Sequence, residues 1–241
     1  MITTEEQDGV GLILLDRHGK RNALDVEHLD GLRAAVENFA GAVRAIVVTG
    51  AGTSFCAGAD LGGVYGDGFR TALYAALRAI VDAPVPVIAA VNGPAIGAGT
   101  QLAIACDLRV AADTAVFAVP TARNGLAVDP WTVRRLALLA GGGPARAMLL
   151  GAERLDARRA HACGLADRLG SVTDARAWAH EIAEFAPLSL QYAKTALRSM
   201  FEPPSWETRL DQLFDSCWSS ADFAESRRAH AEKRAPRFEG R

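Results

Sequence analysis

The chain has 241 residues, 50% of them hydrophobic, and a formal net charge of −2, so it is large enough for one domain with a sizeable core and carries no cationic footprint for nucleic acid. No apolar run reaches the roughly 18 residues that a bilayer-spanning helix needs. Met1-Ile2-Thr3-Thr4-Glu5-Glu6 lacks the basic segment and apolar stretch of a secretion signal, so a cytoplasmic location is expected.

An apolar strand is expected over 10–15, and Asp25 is placed to cap a helix over Val26–Phe39 that ends near Gly41. A second strand, 45–48, runs into a turn of small residues, Gly50-Ala51-Gly52-Thr53-Ser54-Phe55-Cys56-Ala57-Gly58-Ala59-Asp60-Leu61. After a helix over 69–81, the apolar run 85–91 reads as a buried strand, followed by a second such turn, Asn92-Gly93-Pro94-Ala95-Ile96-Gly97-Ala98-Gly99. A helix over 99–106 and a strand over 108–111 complete a β-α alternation that argues for parallel pairing. From Trp131 onward the pattern is helical nearly throughout: 131–139, 145–150, 157–161, 174–185, 188–200 and 205–231, with Pro203-Pro204 as a break. The expected organisation is a core over 1–187 and a C-terminal helical region over 188–241.

The two turns carry the chemistry. Each follows an apolar strand, and its small residues leave backbone N–H groups unshielded where the next element begins. Such groups attract an oxyanion. Two turns that each aim one N–H at one carbonyl oxygen form an oxyanion hole, in which a donor is typically worth about 10²–10³ in rate. Either turn alone reads equally well as an ordinary strand-to-helix connection.

Gln101 stands just beyond the second turn, where acid–base chemistry would want a carboxylate. Its amide can orient a water or an acyl group by hydrogen bonding but cannot exchange protons near neutral pH. It reads equally as a satisfied polar residue at a helix start. One carboxylate is close in sequence, Asp129 in Gly125-Leu126-Ala127-Val128-Asp129-Pro130-Trp131. An Asp before Pro at a first helical position is a favoured N-cap, and a direct chemical role is the second reading. Trp131 beside it is core packing or pocket wall.

Other chemistries find no support. Cys56, Cys106, Cys163 and Cys217 form no C-x-x-C pair, and His18, His28, His161, His180 and His230 show no ligand spacing with them, so no metal is expected and reduced thiols are the default. Gly50-Ala51-Gly52 lacks the third glycine of a dinucleotide fingerprint, and neither a phosphate-binding G-x-x-x-x-G-K-[ST] nor a G-x-S-x-G elbow occurs. Near the C-terminus, Arg227, Arg228, Lys233, Arg234, Arg237 and Arg241 outnumber Glu225, Glu232 and Glu239, which reads as a solvated, locally cationic helix end.

Taken together, the two turns, Cys106-Asp107-Leu108-Arg109 and the terminal Glu232-Lys233-Arg234-Ala235-Pro236-Arg237-Phe238 resemble the crotonase superfamily, the enoyl-CoA hydratase/isomerase family, in order and over nearly the whole chain. The resemblance implies an α/β fold, a spiral of ββα units with a C-terminal helical trimerisation region, assembled as a homotrimer or dimer of trimers. It implies no cofactor and a coenzyme A thioester as ligand, its carbonyl held by the N–H groups of Ala59 and Ala98. It places Arg21, Ala23, Ala57, Asp60, Leu61 and Lys233 against coenzyme A, with Pro130 and Trp131 beside the acyl chain. Hydratases of the family carry glutamates where this chain has Gln101 and Thr121, the latter after Pro120. Some members carry a nucleophilic aspartate at a place resembling Asp129. The expectation is an acyl-CoA binder or carrier of lipid metabolism with weak or absent hydratase activity, with a protein of that metabolism as a partner. The rival is an active hydratase, isomerase or other acyl-CoA-transforming enzyme that uses Asp129.

Overall fold

A computed structural model describes residues 1–60, 68–201, 215 and 218–237. Leu61, Cys217, Phe238, the Pro203-Pro204 break and most of the expected helix before residue 218 lie outside the described residues. β1 (Ile2–Gln7) and β2 (Val10–Leu15) form an antiparallel hairpin. Asp8 and Gly9 at its tip have φ of 49° and 74°, the left-handed pair that a two-residue hairpin turn requires.

From β2 the sheet continues in parallel through β3 (Ala45–Gly50), β4 (Val87–Val91), β6 (Leu108–Ala111) and β9 (Arg168–Leu169). Every residue of β3 and β4 is buried, as continuous apolar strands covered on both faces must be. Alternation along β3 decides what each face meets. Ile46 and Val48 join the main core with α1 (Val26–Phe39), α2 (Phe69–Asp82) and α3 (Ala98–Ala105), whereas Ala45 and Val47 pack against Ala175, Ala179 and Ile182 of α7 (Val172–Ala183).

A second sheet, absent from the sequence reading, orders β5 (Pro94–Ile96), β7 (Val116–Ala118) and β8 (Arg154–Asp156). β8 and β9 also correct the expectation of near-continuous helix after Trp131. Strands of two or three residues show no periodicity of their own and exist because a neighbouring strand supplies hydrogen bonds.

The helices that follow are α4 (Pro130–Ala140), α5 (Gly142–Leu149), α6 (Ala157–Ala162), α7, α8 (Pro187–Phe201) and α9 (Ala221–Ala231). Ser171 and Asp174 form a capping box that starts α7 two residues before its expected position. Lys194 docks α8: its Nζ, on a side chain 9% exposed, donates to the carbonyls of Ile80 and Val85 at 3.0 Å each and meets Asp107 Oδ2 at 2.8 Å. α9 is tied inward by Ser226 Oγ, which donates to Asn124 O at 2.5 Å. No helix among the described residues is long and apolar enough to cross a membrane.

Candidate functional site

The two small-residue turns are stitched together backbone to backbone. Cys56 N donates to Pro94 O at 3.1 Å and Ile96 N to Cys56 O at 2.9 Å, so the first turn extends the sheet edge formed by β5. Gly58, at φ 102°, brings its chain so close that a Cβ there would stand 2.7 Å from Ile96 O. On the other side Leu24 N donates to Gly58 O at 2.8 Å and Asp60 N to Leu24 O at 2.7 Å. A parallel bridge of this kind uses the residues flanking Ala59 and leaves the amide of Ala59 pointing away from it.

The second amide is freed in a comparable way. Gly97 spends its N–H on Ala118 O at 2.8 Å and, at φ 54°, redirects the chain into α3, whose first residue is Ala98. An N–H at that position has no intrahelical acceptor. Neither the Ala59 nor the Ala98 N–H donates to an acceptor among the described residues. Thr100 anchors the start of α3, its Oγ1 donating to Ala95 O at 2.6 Å and Ala118 O at 2.9 Å. At the other end, Arg135 donates to Ile104 O at 2.6 Å and Cys106 O at 3.2 Å, capping the last carbonyls of α3 with a buried cation.

Ala59 and Ala98 line one cavity of about 180 Å³, together with Gly58, Gln101 and Thr121. Its far wall is α2, through Phe69, Arg70, Leu73 and Tyr74, and it is completed by Leu126, Ala127, Val128 and Trp218. No Asp, Glu or His is among the described residues that line it. The α2 face and Trp218 escaped the sequence reading, because amphipathic periodicity tells that a helix has a buried face but not which cavity that face meets.

Gln101 is 4% exposed and heads a small polar group behind the cavity. Its Nε2 donates to Thr132 Oγ1 at 2.9 Å and approaches Asp129 Oδ1 at 3.5 Å, while the Thr132 hydroxyl donates to Asp129 Oδ1. Asp129 occupies the N-cap position of α4 with an extended backbone, yet its side chain makes no cap hydrogen bond; the expected capping is positional, and the carboxyl is given instead to Thr132. Burial raises the Asp129 carboxyl above its ordinary range, opposed by the Thr132 hydroxyl. Burial likewise raises the Tyr74 phenol, with the charge of Asp129 adding to it.

Asp129 does not itself line the cavity and reaches it through Gln101 and Thr132. Thr121 lines it from the start of the short 3-10 turn Thr121–Asn124. Pro130 and Trp131, expected beside the acyl chain, lie outside that lining; Trp131 packs against the core with the Arg135 guanidinium 5.7 Å from its ring. Cys56, fully buried inside the first turn, has its thiol pushed up to about 12 by burial, so it is held as an inert thiol.

Of the expected coenzyme A contacts, Ala57 lines the cavity, and its N–H donates to Arg21 O at 3.0 Å. Arg21 itself is exposed, in a left-handed conformation, and Ala23 is 9% exposed. Asp60 is ion-paired with Arg17 at 2.8 Å and Lys20 at 3.4 Å. Lys233 is exposed just beyond α9 and away from the cavity lining.

Comparison with known proteins bears on this arrangement. The family model described as enoyl-CoA hydratase/isomerase matches residues 5–241. The chain is 46% identical over 243 residues to the probable enoyl-CoA hydratase echA6 of Mycobacterium tuberculosis, covering 100% of both. It resembles the crystal structure of an enoyl-CoA hydratase/isomerase from Pseudoalteromonas atlantica T6c, with a TM-score of 0.89 and 30% identity over 99% of both chains. It also resembles methylmalonyl-CoA decarboxylase in complex with 2-nitronate-propionyl-CoA, with a TM-score of 0.90 and 25% identity over 100% of this chain and 98% of that one. These structures share the crotonase fold, and the chain belongs to the enoyl-CoA hydratase/isomerase family.

Proposed function

We propose that this protein binds acyl-CoA thioesters, gripping the thioester oxygen between the Ala59 and Ala98 amides, and that it hydrates enoyl thioesters weakly or not at all. The observation that carries this reading is the pairing of two uncommitted amides in a cavity whose lining, among the described residues, holds no carboxylate or imidazole. Hydration needs one group to take a proton from water and another to deliver one to carbon, a contribution of about 10²–10⁴-fold each. Gln101 and Thr121 offer an amide and a hydroxyl at the cavity instead. The complex of the related decarboxylase with a propionyl-CoA analogue supports the ligand class. In this reading Arg21, Ala23, Ala57, Asp60, Leu61 and Lys233 form the coenzyme A rim, and the protein serves as a cytoplasmic binder or carrier in lipid metabolism. The exposed Leu188, Tyr192 and Leu197 of α8, at 79%, 75% and 56%, support burial of that helix against neighbouring protomers in a trimer or dimer of trimers.

The second reading is an enzyme that works through Asp129, whose raised carboxyl and nearness to Gln101 favour it. One pair of measurements separates the two. Calorimetric titration with acyl-CoA reports binding, and turnover of crotonyl-CoA and longer enoyl-CoAs reports hydration. Binding with turnover far below about 1 s⁻¹ supports the binder, and turnover above that level overturns it. Under the enzyme reading, Asp129→Asn abolishes turnover with the fold intact.

A further inference from the structure

Among the described residues that line the cavity, Arg70 alone carries a full charge at neutral pH, and it stands in the α2 wall, across from the Ala59 and Ala98 amides. Phe69 and Leu73 beside it on that wall are buried and apolar. Arg70 Cζ lies 5.0 Å over the ring of Trp218, another lining residue, so the indole supports the guanidinium from one side. Asp215 is its counter-ion, 3.5 Å from Nη1 and 69% exposed. The cation is thus balanced from the solvent side by a screened pair, while the described lining of the cavity presents no carboxylate to it.

That asymmetry discriminates between acyl groups by what they bring to the α2 wall. A plain alkyl end that reaches Arg70 strips water from the guanidinium and returns no acceptor. A carboxylate at the far end of the acyl chain returns two, and a guanidinium has five N–H donors, enough to hold a carboxylate in a bidentate pair and keep Asp215 as well. Asp129 decides where along α2 such a group settles: its charge acts on Tyr74, one turn beyond Arg70, so an anion is repelled from that end of the wall and drawn toward the cation. We infer that Arg70 is a specificity determinant for coenzyme A thioesters of dicarboxylic acids, with the thioester oxygen on the Ala59 and Ala98 amides and the free carboxylate at the other end of the acyl chain on the Arg70 guanidinium. This rests on the acyl-thioester reading above and goes beyond it in naming the ligand class.

The test is a ratio of affinities measured by calorimetry on the full chain, glutaryl-CoA against pentanoyl-CoA and adipoyl-CoA against hexanoyl-CoA. In at least one pair the dicarboxylic thioester is expected to bind about tenfold tighter or more, as hydrogen bonds to a charged group allow. Arg70→Met keeps the apolar stem and is expected to bring that ratio to about one while leaving the plain thioester within about twofold, a split that loss of structure would not produce. Asp215→Asn, which removes the competing carboxylate at the surface, is expected to widen the preference, and it carries the test if Arg70→Met fails to fold. Equal affinities within about twofold in both pairs overturn the inference while leaving thioester binding intact. A preference that survives in a folded Arg70→Met, or one that narrows in Asp215→Asn, overturns it too. If none of the four thioesters binds, the acyl-thioester reading itself falls.

Discussion

Gly99 lies against the carbonyl of Cys56 so closely that a Cβ at Gly99 would stand 2.2 Å from Cys56 O and 3.0 Å from its carbonyl carbon. That carbonyl is committed to Ile96 N at 2.9 Å, so it cannot swing aside without parting the two turns. Gly99→Ala is therefore expected to destabilise the protein by about 1–3 kcal/mol or more, the cost of overpacking a rigid backbone contact. It should also weaken acyl-CoA binding, because the separation of the Ala59 and Ala98 amides depends on the same contact. Denaturant unfolding checks the first effect and calorimetry the second; an unchanged unfolding midpoint refutes the contact as a constraint.

Ala98→Pro separates the amide from the fold. Proline is tolerated at a first helical position because no intrahelical hydrogen bond is lost there, and Ala98 is the first residue of α3. The substitution removes one oxyanion donor and nothing else from the α3 hydrogen bonding. Melting is expected to shift little, while acyl-CoA affinity falls by about tenfold, the upper range of one net hydrogen bond. Undiminished affinity in a folded variant would place the thioester elsewhere.

Much of this is legible in the amino-acid sequence. Continuous apolar runs identify β3 and β4, and Asp25 marks the start of α1. The two turns announce themselves by small residues, since close backbone approach excludes side chains. What escaped depends on partners distant in sequence. β5, β7 and β8 are three-residue strands made by mutual pairing, and Tyr74 and Arg70 reach the cavity because α2 packs over it. The link from Gln101 through Thr132 to Asp129 spans 28 to 31 residues and has no periodic signature. β1 carries a local signal as well, because Asp8-Gly9 is a strong hairpin turn directly before the apolar strand β2.

Arg135 offers a test of what holds α3 in place from behind. Its side chain, 7% exposed, donates to Ile104 O and Cys106 O, and Cys106 O also receives Arg109 at 2.9 Å. Arg135→Met keeps the apolar stem and leaves Ile104 O without its guanidinium donor, a cost of about 1–3 kcal/mol for a buried acceptor. A larger fall in melting temperature is expected here than for the same change at exposed Arg33, whose partners Asp30 and Glu37 lie on a solvated helix face. Equal falls at the two sites would remove Arg135 from the support of α3.

Asp129 gives a pH dependence with a defined sign. Burial raises its carboxyl in the folded protein above the value in the unfolded chain, so the folded state binds more protons as both states begin to ionise. Stability contributed at this position is present below the ordinary carboxylate range and is lost as pH climbs through the raised folded value, after which the loss is constant. Asp129→Asn removes the titration and keeps an oxygen to accept the Thr132 hydroxyl. The variant is therefore expected to melt higher than the unmodified protein near neutral pH, with the gap closing toward about pH 4, where an ordinary carboxylate begins to protonate. Thermal melts of both proteins across that interval check it. A gap that does not change with pH, or one of opposite sign at neutrality, would mean that burial of this carboxylate is fully offset by its partners, and the loss assigned to ionised Asp129 would be wrong.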